Sequence, residues 1–387
     1  MSFTTVKRLK GDVRDALALQ GYRIDDDGSL RLDQYGRAGR RSAHRVARQE
    51  RIASRAEFIR KTFDLVEPKL IDGADIDIEK ISPQLVEVTP NSVHEQMFRW
   101  WNLVWWSLPY EHPCGRQMRF LVWDKYHKAA MGLIGLQSPI LRWNVRDEYL
   151  GIQPELRDYW VNQSLSAQRL GALPPYNKIL GGKLVALLMT SDEVTRKFAE
   201  KYRNTETIMQ SRVLPARLLF LTTTGAYGKS SVYQRLSFEG EKVSKFIGYS
   251  QGSGSFHIPT DLFTDLVEYL EHRGFNVKRG LGSGPSTKLR LIDQALDLLG
   301  FRNGAEHGIQ RAVYLFPMVK NLEDVIQANA RPRYYHRKVG DLTRFWKERW
   351  VLPRSDRIEM FKKFSAAQFL TTVKRNLTIA VRACESE

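Results

Sequence analysis

Two adjacent glycines and a lysine, Gly181-Gly182-Lys183, stand between the turn sequence PYNKIL and an apolar run that is expected to begin a helix. Glycine there lets the backbone approach a ligand closely, and the free N–H groups and dipole of a helix N-terminus face outward, so the spacing predicts an anion site. A second phosphate-type sequence, TTGAYGKS, covers Thr223 to Ser230 between an apolar run and a short helix. It approaches the Gly-x-x-x-x-Gly-Lys-Ser/Thr nucleotide loop, but Thr223 occupies the place of the first glycine, and a plain strand-to-helix turn is the competing reading. Arg146 and Asp147 are neighbours and admit two readings, a functional pair or an ion pair buried under a sheet. His307, in EHGIQRAVY, either titrates near neutral pH or stabilises a helix end, and His257 falls on an expected strand.

Periodicity supplies the elements that would position these residues. Leu184, Leu187, Leu188 and Val194 fall near a 3.6 period and predict a helix reaching about Tyr202. Pro215 then opens LLFLTTT, too apolar and β-rich for anything but a buried strand, and a short helix is expected over Ser230 to Phe238. RFLVWD and AAMGLIGLQSP predict a hairpin around Lys125 to Lys128, and KFIGYS and SFHIP predict another through Gln251 to Gly254. Further helices are expected over about 4–20, about 40–64, LFTDLVEYLEHRGF stopped by Gly274, and KLRLIDQALDLLGF after the glycine-rich hinge RGLGSGPS. Ser92 and Glu95 have capping-box spacing at the start of a helix bearing Trp100, Trp101, Trp105 and Trp106, a cluster read as core before base-stacking platform.

The chain has 387 residues and a formal net charge of +17, which attracts polyanions, nucleic acid first among them. The charge is clustered: nine Lys/Arg lie between Arg37 and Lys61 against Glu50 and Glu57, with Arg41, Arg45, Arg48 and Arg55 at helical spacing on one face. Phosphate contact, a solvated face and a protein-partner surface are the three readings. A second basic stretch, from Arg331 to Lys363, carries Arg333, Arg337, Lys338, Lys347 and Arg349 among aromatics. That pattern suits stacking on single strands, although Trp346 and Trp350, four apart, equally suit the buried stripe of a docking helix.

Two cysteines, Cys114 and Cys384, exclude a cysteine-based zinc cluster, and the eight histidines form no HExxH pair, so no metal is expected. No run approaches the roughly 18 to 20 apolar residues of a membrane helix, and MSFTTVKRLK lacks a signal-peptide core, which predicts a cytoplasmic protein with no membrane contact. Scattered carboxylates rank a metal-dependent nuclease last.

The stretch from Gln168 to Phe238 resembles the GNAT superfamily of N-acetyltransferases, in which a strand feeds a phosphate-holding loop, a helix follows, and a second strand leads to a short helix marked Tyr-x-x-Leu-Gly-Phe. Here the mark reads Tyr233-Gln234-Arg235-Leu236-Ser237-Phe238, with serine for glycine. The loop pattern Arg/Gln-x-x-Gly-x-Gly/Ala falls on Asn177 to Gly182, with Asn177 first and Leu180 fourth. The fold class expected is therefore α/β, a GNAT-like mixed central sheet with flanking helices over 81–275, between a basic helical N-terminal region, 1–80, and a helical, basic C-terminal region, 276–387. The resemblance implies that Asn177, Gly181, Gly182 and Lys183 would hold an acyl-CoA pyrophosphate. It also implies that Tyr233 would act as general acid toward the departing thiolate and that Asp147, held by Arg146, would accept a proton from an amine.

Most of the chain, from about 30 to 357, resembles the Druantia DruA family through ordered blocks that include RQERIASRAEFI, EKISPQLVEV, SPILRWNVRDEYLG, LGALPPYNKILGGKLVALL, LTTTGAYGKSSVYQRLSF, EHGIQRAVYLFP and WKERWVLPR. That resemblance implies bacterial defence against phage beside a large helicase. Two functions follow: a nucleic-acid-binding component, on DNA or RNA, using an acetyltransferase-like scaffold without acyl chemistry, or an active acyl-CoA-dependent transferase modifying a nucleic acid or protein. Self-association as a homo-oligomer is left open.

Overall fold

Seven strands, β1 (Pro83–Glu87), β2 (Gln117–Asp124), β3 (Ala129–Gln137), β4 (Ser164–Ala172), β5 (Phe220–Thr224), β6 (Lys245–Tyr249) and β7 (Ala312–Pro317), form one sheet in the order β6-β7-β5-β4-β3-β2-β1. The computed structural model describes residues 3–385 apart from 35, 107, 109–114, 209, 279–285 and 358. Cys114, the side chain of Cys384 and the expected glycine-rich hinge before Ser286 lie outside the described residues. The helices include α1 (Phe3–Leu19), α2 (Arg37–Ala43), α3 (Arg45–Ala53), α4 (Val93–Val104), α5 (Asn144–Leu150), α6 (Gly181–Leu188), α7 (Asp192–Tyr202), α8 (Ser231–Gln234), α9 (Thr260–His272), α10 (Thr287–Leu298), α11 (Val339–Trp346) and α12 (Ala366–Glu385).

Every neighbouring pair is antiparallel except β4 and β5, which run parallel from Ser164 opposite Phe220 to Ala167 opposite Thr223. A parallel pair needs a crossover, which α6 and α7 supply. Beyond Ala167 the two strands part: β4 continues to Ala172 while β5 stops at Thr224.

Alternation explains how the sheet buries both faces. In β2, Met118, Phe120 and Val122 join the cluster beneath α6, α7 and α11, whereas Leu121 joins the cluster beneath α4 and α12. In β3, Ala129 and Met131 share their face with Ile134 and Leu136, a change of parity produced by the irregularity where Val122 faces Gly132 and Trp123 faces Ala130. Trp100 and Trp101 are fully buried, Trp101 stacks on Phe369 at 5.5 Å, and this tryptophan cluster is core. Ser92 caps α4 through the Glu95 N–H at 3.1 Å, while the Glu95 carboxylate accepts from the Asn91 N–H at 2.8 Å. A third apolar cluster joins α1 to α9 and α10.

Several expectations are corrected. The single basic helix over about 40–64 is instead α2, α3, Ala56–Lys61 and Phe63–Val66, interrupted at His44, Ser54–Arg55 and Thr62. The helix expected to reach Tyr202 breaks at Met189–Ser191 into α6 and α7. SFHIP is a turn, and the partner of β6 is β7, from a segment expected to be helical. Trp105 and Trp106 lie past the end of α4. Among the described residues no helix is long and apolar enough to cross a membrane.

Candidate functional site

The start of α6 is shaped by its glycines. Leu180 precedes it in the left-handed region, φ 59°, and a Cβ on Gly181 would sit 2.5 Å from the Tyr176 carbonyl oxygen and 2.9 Å from the Ala172 Cβ, so only glycine closes this turn. Gly182 is open: its nearest neighbour would be Val232 Cγ2 at 3.9 Å. Lys183 Nζ lies 4.4 Å from the Trp350 ring centroid and donates to the Arg235 carbonyl oxygen at 3.3 Å. Burial, then the charges of Arg354, Arg235 and Arg349, hold Lys183 below the ordinary lysine range. Arg354 Nη1 donates to the carbonyl oxygen of the same Trp350 at 3.0 Å, and among the described residues none of these four cations forms an ion pair. Asn177 is exposed on the preceding turn.

Tyr233 belongs to α8, which Ser230 caps by accepting from the Tyr233 N–H at 3.4 Å. Its half-buried ring packs edge-on against Tyr314 at 5.2 Å and Phe316 at 5.7 Å, near where β4 and β5 part. Burial raises the phenol above its ordinary range, opposed by a hydrogen bond with the Thr223 side chain, so the group is protonated at neutral pH. That is the state a proton donor requires.

Asp147 is placed otherwise. Its Oδ1 accepts from Arg146 Nε at 2.8 Å, and its Oδ2 accepts from Arg157 Nε at 2.9 Å and from the Trp143 N–H at 3.2 Å. Arg146, 0% exposed, also donates to the carbonyl oxygens of Ile140 and Leu141, each at 2.7 Å. Both carboxylate oxygens are engaged, which leaves no free base for a substrate amine and makes the pair a clamp on the segment leading into α5.

The TTGAYGKS turn is tight rather than open. A Cβ on Gly225 would lie 2.1 Å from the Gly228 carbonyl oxygen, the Ser230 hydroxyl is used as a helix cap, and Lys229 Nζ lies 5.0 Å from the Phe246 ring centroid. The hydroxyl that a nucleotide loop would give to a magnesium ion is used in the cap, and the lysine extends to Phe246 of β6.

The basic residues divide. Arg41, Arg45, Arg55, Arg333, Lys338 and Arg349 are exposed. Arg48 instead closes α4, donating to the carbonyl oxygens of Val104 at 2.8 Å and Trp106 at 3.3 Å. Arg337 is 2% exposed and packs over Tyr335 at 4.0 Å, with burial lowering its pKa, so it is no part of an open phosphate surface. Lys347 donates to the Glu79 carbonyl and lines a cleft of about 360 Å³ between Ser82–Pro83 and α11. Trp346 and Trp350 are buried, which settles them as packing residues. Sequence reasoning passed over Arg235 and Arg354; only the fold brings them to Lys183, and no local signal marks them.

Three histidines are buried behind α2: His44 meets Phe256 at 4.2 Å, Phe256 meets His307 at 4.7 Å, and His257 meets His307 at 5.8 Å. Among the described residues no group of His, Cys, Asp and Glu is arranged to hold a metal ion.

A sequence model of the family described as Druantia protein DruA matches residues 34–328. The Druantia protein DruA of Escherichia coli (strain UMEA 4076-1) is 34% identical over 364 residues, covering 93% of this chain and 90% of that protein. No solved structure matches.

Proposed function

This chain belongs to the Druantia protein DruA family, and on that premise we propose that it is the nucleic-acid-binding component of a bacterial anti-phage defence system, built on an acetyltransferase-like scaffold and working with a helicase partner. The observation that carries the reading is the gathering of cations about Lys183, whose Nζ lies 4.4 Å from the Trp350 ring centroid and donates to the Arg235 carbonyl while Arg354 donates to the Trp350 carbonyl at 3.0 Å; among the described residues none of Lys183, Arg235, Arg349 and Arg354 forms an ion pair. Mutual repulsion makes such a cluster costly when empty, and a phosphodiester would relieve it. Exposed Arg41, Arg45 and Arg55 add cationic surface on the N-terminal helices. The order of β4, loop, the crossover helices α6 and α7, β5 and α8 supports the acetyltransferase-like scaffold.

Fluorescence anisotropy of labelled DNA and RNA, single-stranded and duplex, across a salt series tests this. Affinity is expected to fall steeply with salt, and the K183E/R235E variant is expected to bind more weakly with a shallower slope. Failure of the unaltered protein to bind any of these at modest ionic strength overturns the reading.

A second reading, an acyl-CoA-dependent transferase, draws on the open backbone at Gly182 and the protonated Tyr233 phenol. Calorimetry with acetyl-CoA separates the two: tight binding abolished by Gly182→Arg supports the transferase, and absence of heat beside salt-dependent oligonucleotide binding supports the binder.

A further inference from the structure

Strand β6 is an edge of the sheet and carries an irregularity that turns two aromatic side chains together. Its pairing with β7 places Phe246 opposite Tyr314 but Gly248 opposite Val313, so Ile247 is the extra residue of a bulge. In a regular strand, residues three apart point to opposite faces. Here the added residue restores the parity, and the Phe246 and Tyr249 rings meet with centroids 5.2 Å apart. Glycine is required at the bend: Gly248 has φ 139°, and a Cβ there would lie 2.6 Å from Val145 Cγ2.

These rings are partly open to solvent, 38% for Phe246 and 45% for Tyr249, on a strand that also bears exposed Lys245. Lys229, from the β5–α8 turn, lies beside Phe246, and on the same turn Tyr227 lies 5.3 Å beneath the Arg41 guanidinium of α2. Among the described residues Arg41, Lys229 and Lys245 form no ion pair. Cations without counterions beside exposed aromatic faces complement a strand that is anionic along its backbone and offers unstacked bases. A duplex keeps its base faces covered and has no use for the rings.

Resting on the nucleic-acid reading above, we infer that the β6 edge is a base-stacking platform for single-stranded nucleic acid, with Phe246 and Tyr249 receiving bases while Lys229, Lys245 and Arg41 hold phosphates. The bulge is the device that builds it. The α6 cluster then grips backbone charge of either form, and the β6 edge distinguishes unpaired strands from duplex.

The test uses the full chain with an unstructured thymine oligonucleotide, the same length lacking bases, and a duplex, each titrated by anisotropy at fixed and varied salt. The F246L/Y249L pair keeps apolar packing against Tyr314 and should weaken binding of the thymine strand tenfold or more, with an unchanged salt slope and unchanged duplex binding. F246W/Y249W should retain it, and the baseless strand should bind the unaltered protein as weakly as the thymine strand binds the leucine pair. Equal thymine-strand affinity in the leucine pair and the unaltered protein overturns the platform and leaves the nucleic-acid reading standing. Absence of binding by the unaltered protein removes both.

Discussion

Arg48 Nη2 donates to the Val104 carbonyl oxygen at 2.8 Å, so a cation standing at phosphate-contact spacing in the sequence closes the end of α4 instead. The last carbonyls of a helix lack internal partners and carry the negative end of its dipole, and a guanidinium meets both needs. Arg48→Ala should therefore cost about 1.5–3 kcal/mol of stability in urea unfolding, the range for hydrogen bonds to charged groups. Its exposed neighbour gives the contrast: Arg45→Ala should leave the unfolding midpoint in place and lower the salt slope of DNA binding by about 0.9 if it meets one phosphate.

Asp147→Asn should destabilise the protein by about 3–5 kcal/mol, because Arg146 would remain buried without its counter-charge. Tyr233→Phe should change the melting temperature far less, since the ring contacts with Tyr314 and Phe316 remain. Thermal unfolding of the two variants side by side checks the ranking. A neutral Asp147→Asn would show that the clamp contributes nothing.

The two glycines of α6 should respond oppositely to alanine. Gly181→Ala forces a methyl group against the Tyr176 carbonyl and the Ala172 side chain, and should lower stability by more than about 1 kcal/mol. Gly182→Ala meets only Val232 at van der Waals distance and should be neutral or stabilising by up to about 1 kcal/mol, as alanine favours the helix. Chemical denaturation of both variants reads the difference.

Acid should destabilise the protein earlier than carboxylate titration alone would. Burial, with Arg311 adding to it, pulls His44 down to about 3; burial pulls His257 down to about 4; and burial, with His257 and Arg311 adding to it, pulls His307 down to about 2. In the unfolded chain histidine titrates near about 6.5, so below that pH the unfolded state binds protons the folded state refuses. The stabilisation is full above about pH 6.5 and falls with pH, by about 1.4 kcal/mol per pH unit for each histidine. Urea midpoints between pH 7.5 and 5 should fall accordingly, and His257→Gln should flatten the dependence. Midpoints that rise toward pH 5 would contradict the burial of these rings.

Local chemistry was legible wherever neighbours along the chain decide the outcome. The β2–β3 hairpin follows from two alternating apolar runs around Lys125 to Lys128, and the α4 start follows from Ser92 and Glu95. The glycines of α6 announce a turn because backbone strain is a local property. Long-range pairings left no such mark. Strand β7 lies inside a segment that reads as helical, and it displaces SFHIP as the partner of β6 because the wholly apolar AVYLFP is the ladder that can be buried between β5 and the exposed edge.

Charge and side-chain type were thus settled by the sequence alone: a surplus of cations, a glycine-flanked helix start, and aromatics dense enough for a large core. Which cations face solvent was a tertiary decision. Arg48, Arg146 and Arg337 are indistinguishable from Arg45 or Arg349 by type, and they were withdrawn from the surface by carbonyls, a carboxylate and a tyrosine ring supplied by packing. Arg235 and Arg354 joined Lys183 by the converse route. The physical reason is that a charge is positioned by whatever compensates it, and compensation arrives through space, from residues that the linear order does not place nearby.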